Sequence, residues 1–114
     1  MVKSSANAEA RLNSVFRALA DSTRRSILRE VALRERTVGE IAKPHRVSLA
    51  AISKHLKVLE KARLITREKR GSFQIVRINA APMKEAESWL AYYEKFWSER
   101  LDALEELLDR EESR

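Results

Sequence analysis

Helix breakers are scarce in this chain, and where they fall limits what it can fold into. Its 114 residues include two glycines and two prolines, so most of the chain is expected to be helical. The breakers are Gly39, Pro44, Gly71 and Pro82. Proline lacks a backbone N–H and restricts the residue before it, so Pro44 should stop a helix at Lys43. At the first position of a helix proline is well tolerated, and Pro82 is expected to open the long stretch that follows. Gly71 can take a positive φ and suits a tight turn.

Apolar periodicity fills the intervals. Leu12, Val15, Phe16 and Leu19 recur at i, i+3, i+4 and i+7, which is one face of a helix over about 8–19. Asp21 suits the N-cap of a second helix over about 22–33. Ile27, Leu28, Val31 and Ala32 should point inward from it, with Arg24, Arg25 and Arg29 on its polar side. Thr37-Val38-Gly39-Glu40 has the spacing of a capping box, in which each side chain satisfies a backbone N–H at the other's position. It opens a short helix carrying Ile41 and Ala42. Beyond Pro44, Ser48 can cap a helix over about 49–62. Two short helices joined by roughly four residues form a helix-turn-helix, here over 37–62.

After Arg63 the period changes. The segment 64–69 is β-branched at its start and charged at its end, and 74–79 is a better strand in which Val76 breaks strict alternation. Residues 70–73 form the turn between them. A basic hairpin over 64–79, directly after a helix-turn-helix, is a wing. The last helix should run over about 82–110, with 111–114 frayed. The expected fold is mainly α with a small β-hairpin: a winged helix-turn-helix in the order α-α-α-α-β-β-α, one domain over 1–114, dimeric through helices 8–20 and 82–110.

Charge is unevenly spread. The formal net charge is +6, yet residues 1–80 hold 18 Lys/Arg against 7 Asp/Glu while 81–114 hold 5 against 10. Within 43–77 the count is 10 against 2. Positive charge concentrated in this way suits a polyanion, because each phosphate neutralised releases counterions. A merely soluble basic surface is the plainer reading.

On the helix 49–62, Ile52, Leu56 and Leu59 fall within roughly 60° of arc at about 100° per residue, a stripe for the core. The opposite side holds Ala50, Lys54, Lys57 and Lys61, with Ser53 at its edge. A helix entering a major groove needs a small or polar N-terminal half to approach base edges, and basic residues for phosphates. Ser53 and Lys54 suit base edges, Leu49 and Ala50 a thymine methyl, and Lys57 and Lys61 the backbone. Thr37 and Ser48, which cap the two helices, are also expected among the DNA-binding residues. His55 lies on the flank, where a phosphate contact and a packed histidine are both open. In the wing, Arg67, Lys69, Arg70 and Ser72 can follow a backbone or enter a minor groove. Exposed hairpins also carry such charges simply to keep their edges soluble.

The last helix concentrates aromatics: Trp89, Tyr92, Tyr93, Phe96 and Trp97 lie within nine residues. They span more arc than one monomer face needs. Two-fold pairing explains them, with Leu12, Val15, Phe16, Trp89, Tyr93, Phe96, Trp97, Leu101 and Leu104 at the interface. Completion of the monomer core and an effector pocket handled by Tyr92 or Trp97 are the alternatives. The acidic face of Glu87, Glu94, Glu105 and Asp109 should point away from DNA.

Residues 15–28, Val15-Phe16-Arg17-Ala18-Leu19-Ala20-Asp21-Ser22-Thr23-Arg24-Arg25-Ser26-Ile27-Leu28, resemble the opening signature of ArsR-type bacterial transcriptional repressors. Residues 48–60, from Ser48-Leu49-Ala50 to Val58-Leu59-Glu60, resemble their recognition helix. The likeness runs over about 12–108 in the family's element order. It implies a homodimer joined by its first and last helices, with recognition helices in successive major grooves of an inverted repeat. Many members release DNA on binding a metal or small ligand, so a small-molecule effector is among the implied partners. This chain has no cysteine, and its histidines are His45 and His55, so neither metal-sensing pattern of the family carries over. It is similar to the metal-independent branch, with Lys43-Pro44-His45-Arg46 in the turn. Relatives often have glycine where Arg63 stands. A left-handed conformation there costs a non-glycine residue roughly 1 kcal/mol.

Other classes fit less well. There is no glycine-rich phosphate loop, and Ser53 and His55 stand two apart on one helix, so they do not face each other for catalysis. No enzyme, cofactor or metal is expected. No apolar run approaches the ~20 residues that cross a bilayer, so a cytoplasmic protein off the membrane is expected. A winged helix for RNA or protein contacts, without specific duplex binding, is the competing function.

Overall fold

Asp21 separates the first two helices and caps the second. The computed structural model describes the backbone of residues 2–113 and side chains from Ala6 to Ser113. Helix α1 spans Val2–Leu19. It starts earlier than residue 8 because nothing before that breaks a helix and Ala6 and Ala8 favour one. Helix α2 spans Ser22–Leu33, and the Asp21 carboxylate accepts from the Arg24 backbone N–H at 3.0 Å. Ile27, Leu28 and Val31 are buried as expected, but Ala32 is exposed. It lines an apolar groove of about 550 Å³ with Leu19, Leu28, Ile78 and Met83.

A short strand, β1 (Arg36–Thr37), was not legible in the sequence. Thr37 ends this strand and also N-caps α3 (Val38–Ala42). Both capping-box bonds form, Glu40 N to Thr37 Oγ1 at 3.1 Å and Thr37 N to Glu40 Oε1 at 3.0 Å. These hydrogen bonds hold the Glu40 carboxyl below its ordinary range, first through the Thr37 backbone and then through Arg34. The turn after α3 contains Pro44, and His45 Nε2 lies 3.5 Å from Glu30 Oε1 on α2. Helix α4 spans Leu49–Lys61.

Arg63 takes the left-handed conformation, with φ 61°. A pair of bonds closes the helix end, Leu64 N to Leu59 O at 3.0 Å and Arg63 N to Glu60 O at 2.9 Å. Leu59 and Leu64 are both fully buried beneath it. Asn79 reinforces the exit by donating to Arg63 O at 2.7 Å. The conformational cost at Arg63 is therefore carried by its surroundings.

The wing strands are β2 (Ile65–Arg70) and β3 (Phe73–Ile78), each with its bounds moved one residue toward the turn and the expected register kept. Arg70 pairs with Phe73, so only Gly71 and Ser72 form the turn. Gly71 has φ 59°, and two-residue hairpin turns need positive φ at that first position. The sheet is three-stranded in the order β1-β3-β2, wholly antiparallel. Val76 is fully buried on the face it shares with Ile78, and the half-buried Ile75 on the other face is what interrupts the alternation.

The core consists chiefly of Ile27, Ile41, Ile52, Leu56, Leu59, Leu64 and Val76. Burying one such side chain contributes about 1.5–3 kcal/mol. Helix α5 spans Ala81–Glu112. Residues 111 and 112, expected to fray, are helical, since Glu favours helix and no breaker precedes them. Arg114 lies outside the described residues. The chain forms two compact units, one ending at Lys84 and one starting at Glu85. The second is the remainder of α5, and its described side chains from Glu87 to Ser113 are exposed.

Candidate nucleic-acid interface

Three buried side chains, Ile52, Leu56 and Leu59, fix the rotation of α4 about its axis. Its other face is thereby turned to solvent. Ser48 caps the helix by accepting from Ala51 N at 3.1 Å. Leu49 is 64% exposed, Ala50, Lys54 and Lys57 are exposed, and Ser53 is half-buried. No ion pair engages Lys54 or Lys57 among the described residues. Both ammonium groups are therefore available to an external anion. Thr37 Oγ1 is already committed to Glu40 N, which leaves its hydroxyl proton to donate.

The strand register sorts the wing. Side chains alternate between faces, and directly opposed residues share one. Arg67, Lys69, Gln74 and Val76 therefore stand on the face toward α4, and Glu68, Arg70, Phe73 and Arg77 on the other. Ser53 and Lys57 of α4 meet Lys69 and Gln74 of the wing across a cleft of about 420 Å³. A basic helix face beside a basic strand is a surface that a duplex backbone can follow.

Four of the residues expected on DNA also make or line other contacts. Arg67 is tied to α4, with Nε 2.8 Å and a terminal nitrogen 2.7 Å from Glu60 Oε1. Arg70 lies on the far face, 3.4 Å from Glu68 and 3.5 Å from Glu35. Arg77 completes that acidic-basic cluster, and its hydrogen bond to Glu35 holds its guanidinium even more firmly protonated than usual. His55 packs against α2, with Nδ1 3.4 Å from Arg24 and 3.8 Å from Asp21, so of its two sequence readings the flank histidine fits. Lys61 is exposed, but it lines a different cleft with Asn7, Ala10 and Ser14 of α1. Ser72 stands exposed at the wing tip as expected.

Comparison with known proteins places this fold in a family. Residues 19–68 match the family described as a helix-turn-helix domain. The transcriptional repressor SdpR of Bacillus subtilis is 33% identical over 79 residues, which are 69% of this chain and 88% of that protein. A crystal structure of an ArsR family transcriptional regulator superposes with TM-score 0.75 at 36% identity, covering 79% of this chain and 93% of that one. The chain belongs to the ArsR family of helix-turn-helix transcriptional regulators. A homodimeric winged helix-turn-helix DNA-binding domain from Mycobacterium bovis, solved by NMR, is a more distant member of the comparison. It has TM-score 0.58 and 26% identity, covering 88% of this chain and 87% of that one.

Within this ArsR-family chain, the residues expected at a dimer interface divide into two groups. Val15 is only 2% exposed in a single chain, so it belongs to the monomer core and has little surface left to offer a partner. Leu12 and Phe16 remain half-buried on α1. On α5, Trp89, Tyr93, Phe96, Trp97, Leu101 and Leu104 are all exposed. Trp89 stacks on Tyr93 with ring centroids 4.2 Å apart, and Arg100 sits 4.8 Å over Phe96. No helix among the described residues is long and apolar enough to cross a membrane.

Sequence reasoning missed Gln74 and Glu60, which complete the helix–wing cleft. The expected hairpin already sets Gln74 opposite Lys69, but nothing in the strand pattern shows that this pair faces α4. Nothing in the spacing of Glu60 and Arg67 marks them as a pair.

Proposed function

We propose that this ArsR-family regulator represses transcription by binding an inverted-repeat operator as a homodimer. Each recognition helix α4 enters a major groove, where Leu49, Ala50, Ser53 and Lys54 read bases and Lys57 contacts phosphate. Lys69 and Ser72 of the wing follow the adjacent backbone. The observation that carries this reading is the pair of unpaired lysines, Lys54 and Lys57, on the solvent face of a helix rotationally locked by Ile52, Leu56 and Leu59.

Dimer formation is supported by the exposed apolar residues of α5, since a contiguous apolar face of this kind marks an interaction surface. The homodimeric assembly of the Mycobacterium bovis domain favours the same arrangement. A two-fold dimer is what allows two helices to read one symmetric site. Metal-independent action is supported by the absence of cysteine. Such a protein works in the cytoplasm, where the chromosome lies.

Selection of genomic fragments bound by the purified protein tests the function. Recovery of duplexes sharing an inverted repeat is expected, and retention of RNA alone overturns the reading. Sedimentation at micromolar concentration should give a dimer. Elemental analysis should find no stoichiometric zinc, and a bound equivalent defeats metal independence.

A further inference from the structure

The last carbonyls of a helix have no partner within it. In α1 they are met by arginines from the next helix. Arg24 donates through Nε to Ala18 O at 2.8 Å and through a terminal nitrogen to Arg17 O at 2.9 Å. Arg25 donates to Leu19 O at 2.7 Å. Cationic donors at this end also complement the helix dipole. The Arg24 backbone is pinned as well, by the Asp21 carboxylate. That hydrogen bond, with the Arg24 charge in support, depresses the Asp21 carboxyl.

With two guanidinium nitrogens committed to α1, the geometry of a planar fork leaves the third in a set direction. It lies 3.4 Å from Nδ1 of His55, on the recognition helix. His55 stands between Lys54, which is exposed, and Leu56, which is fully buried. A rotation of α4 that moved Lys54 would have to move His55 past Arg24. The apolar stripe locks one side of α4, and Arg24 meets its flank.

We propose that Arg24 is a positioning residue for DNA recognition. It ties the end of α1 to the recognition helix through His55, and so sets operator affinity without touching DNA. The proposal rests on the operator-binding reading above.

The test measures affinity for the selected operator duplex across a salt series, at a low temperature where circular dichroism confirms each variant is folded. Arg24→Ala is expected to raise Kd about tenfold. Its slope of log K against log salt should match wild type, because loss of a phosphate contact would reduce that slope by about 0.9. The double variant Arg24→Ala/His55→Ala should bind no more weakly than Arg24→Ala alone. Should Arg24→Ala not fold, Arg24→Lys keeps the charge but cannot reach both carbonyls and His55 together, and it should also weaken binding at unchanged slope. An unchanged Kd in a folded variant, a reduced slope, or additive effects of the two substitutions each overturn the proposal. Wild-type protein that binds no duplex overturns both this role and the function it depends on.

Discussion

Arg67 of the wing grips Glu60 of the recognition helix through two nitrogens on one carboxylate oxygen, at 2.8 and 2.7 Å. The pair ties the hairpin to the helix. Removing Glu60 should therefore act opposite to simple electrostatics. Deleting an acid near DNA ordinarily strengthens binding, but Glu60→Gln should weaken it about fivefold, as should Arg67→Ala, with no further loss in the double variant. Tighter binding by Glu60→Gln, measured by fluorescence anisotropy, would sink the idea.

Lys54 and Lys57 differ in their expected roles. Lys57→Gln should lower the salt slope of binding by about 0.9, with operator preference retained. Lys54→Glu places an acid at the base edges and should abolish specific binding. Retained specific binding in that variant removes Lys54 from the reading set.

Arg63 is the non-glycine residue with positive φ among those described. Arg63→Gly relieves that conformation and should raise unfolding free energy by up to about 1 kcal/mol. Urea titration measures this, and a fall in stability would show that the Arg63 side chain contributes more than its backbone costs.

Asp21 and Glu40 are both depressed below their ordinary values by hydrogen bonds from backbone N–H groups. A carboxyl lowered on folding adds stability that is present above its unfolded value. That stability is lost as pH falls through the lower folded value. Stability should thus decline below about pH 4. Asp21→Asn with Glu40→Gln should flatten that decline while keeping neutral caps. An unchanged acid limb in urea titrations from pH 3 to 6 would contradict the assignment.

Trp97 is 56% exposed on the apolar side of α5. Trp97→Arg should shift the sedimenting species from dimer toward monomer and leave the circular dichroism of the winged domain intact. A dimer of undiminished strength would place the interface elsewhere.

The helices were legible because their stop signals are chemical and local. Asp21, Thr37, Ser48 and Pro44 each act within a few residues of themselves, and each holds its expected place. What escaped the sequence depends on distance along the chain. Strand β1 is two residues long and exists because β3 lies beside it. The fates of Arg67, Arg70 and His55 were set by Glu60, Glu35, Arg24 and Asp21, none of which periodicity can assign to them. Val15 looked like interface because its spacing matches Leu12 and Phe16, and one chain's packing already consumes it. The solvent face of α4 was readable from residues 49–61 alone, since a helix's apolar stripe implies its opposite.

Thr37 is at once the end of β1, opposite Ile75 of the wing, and the cap of α3. One residue thus belongs to the hairpin's sheet and to the first helix of the helix-turn-helix. Opening the wing at β3 withdraws the backbone on which the α3 cap is built. Amide protons at Ile75 and Val76 and at the start of α3 must then exchange with solvent together, as one cooperative unit. The two structural halves of the DNA-reading head are thus expected to open in a single event of local unfolding.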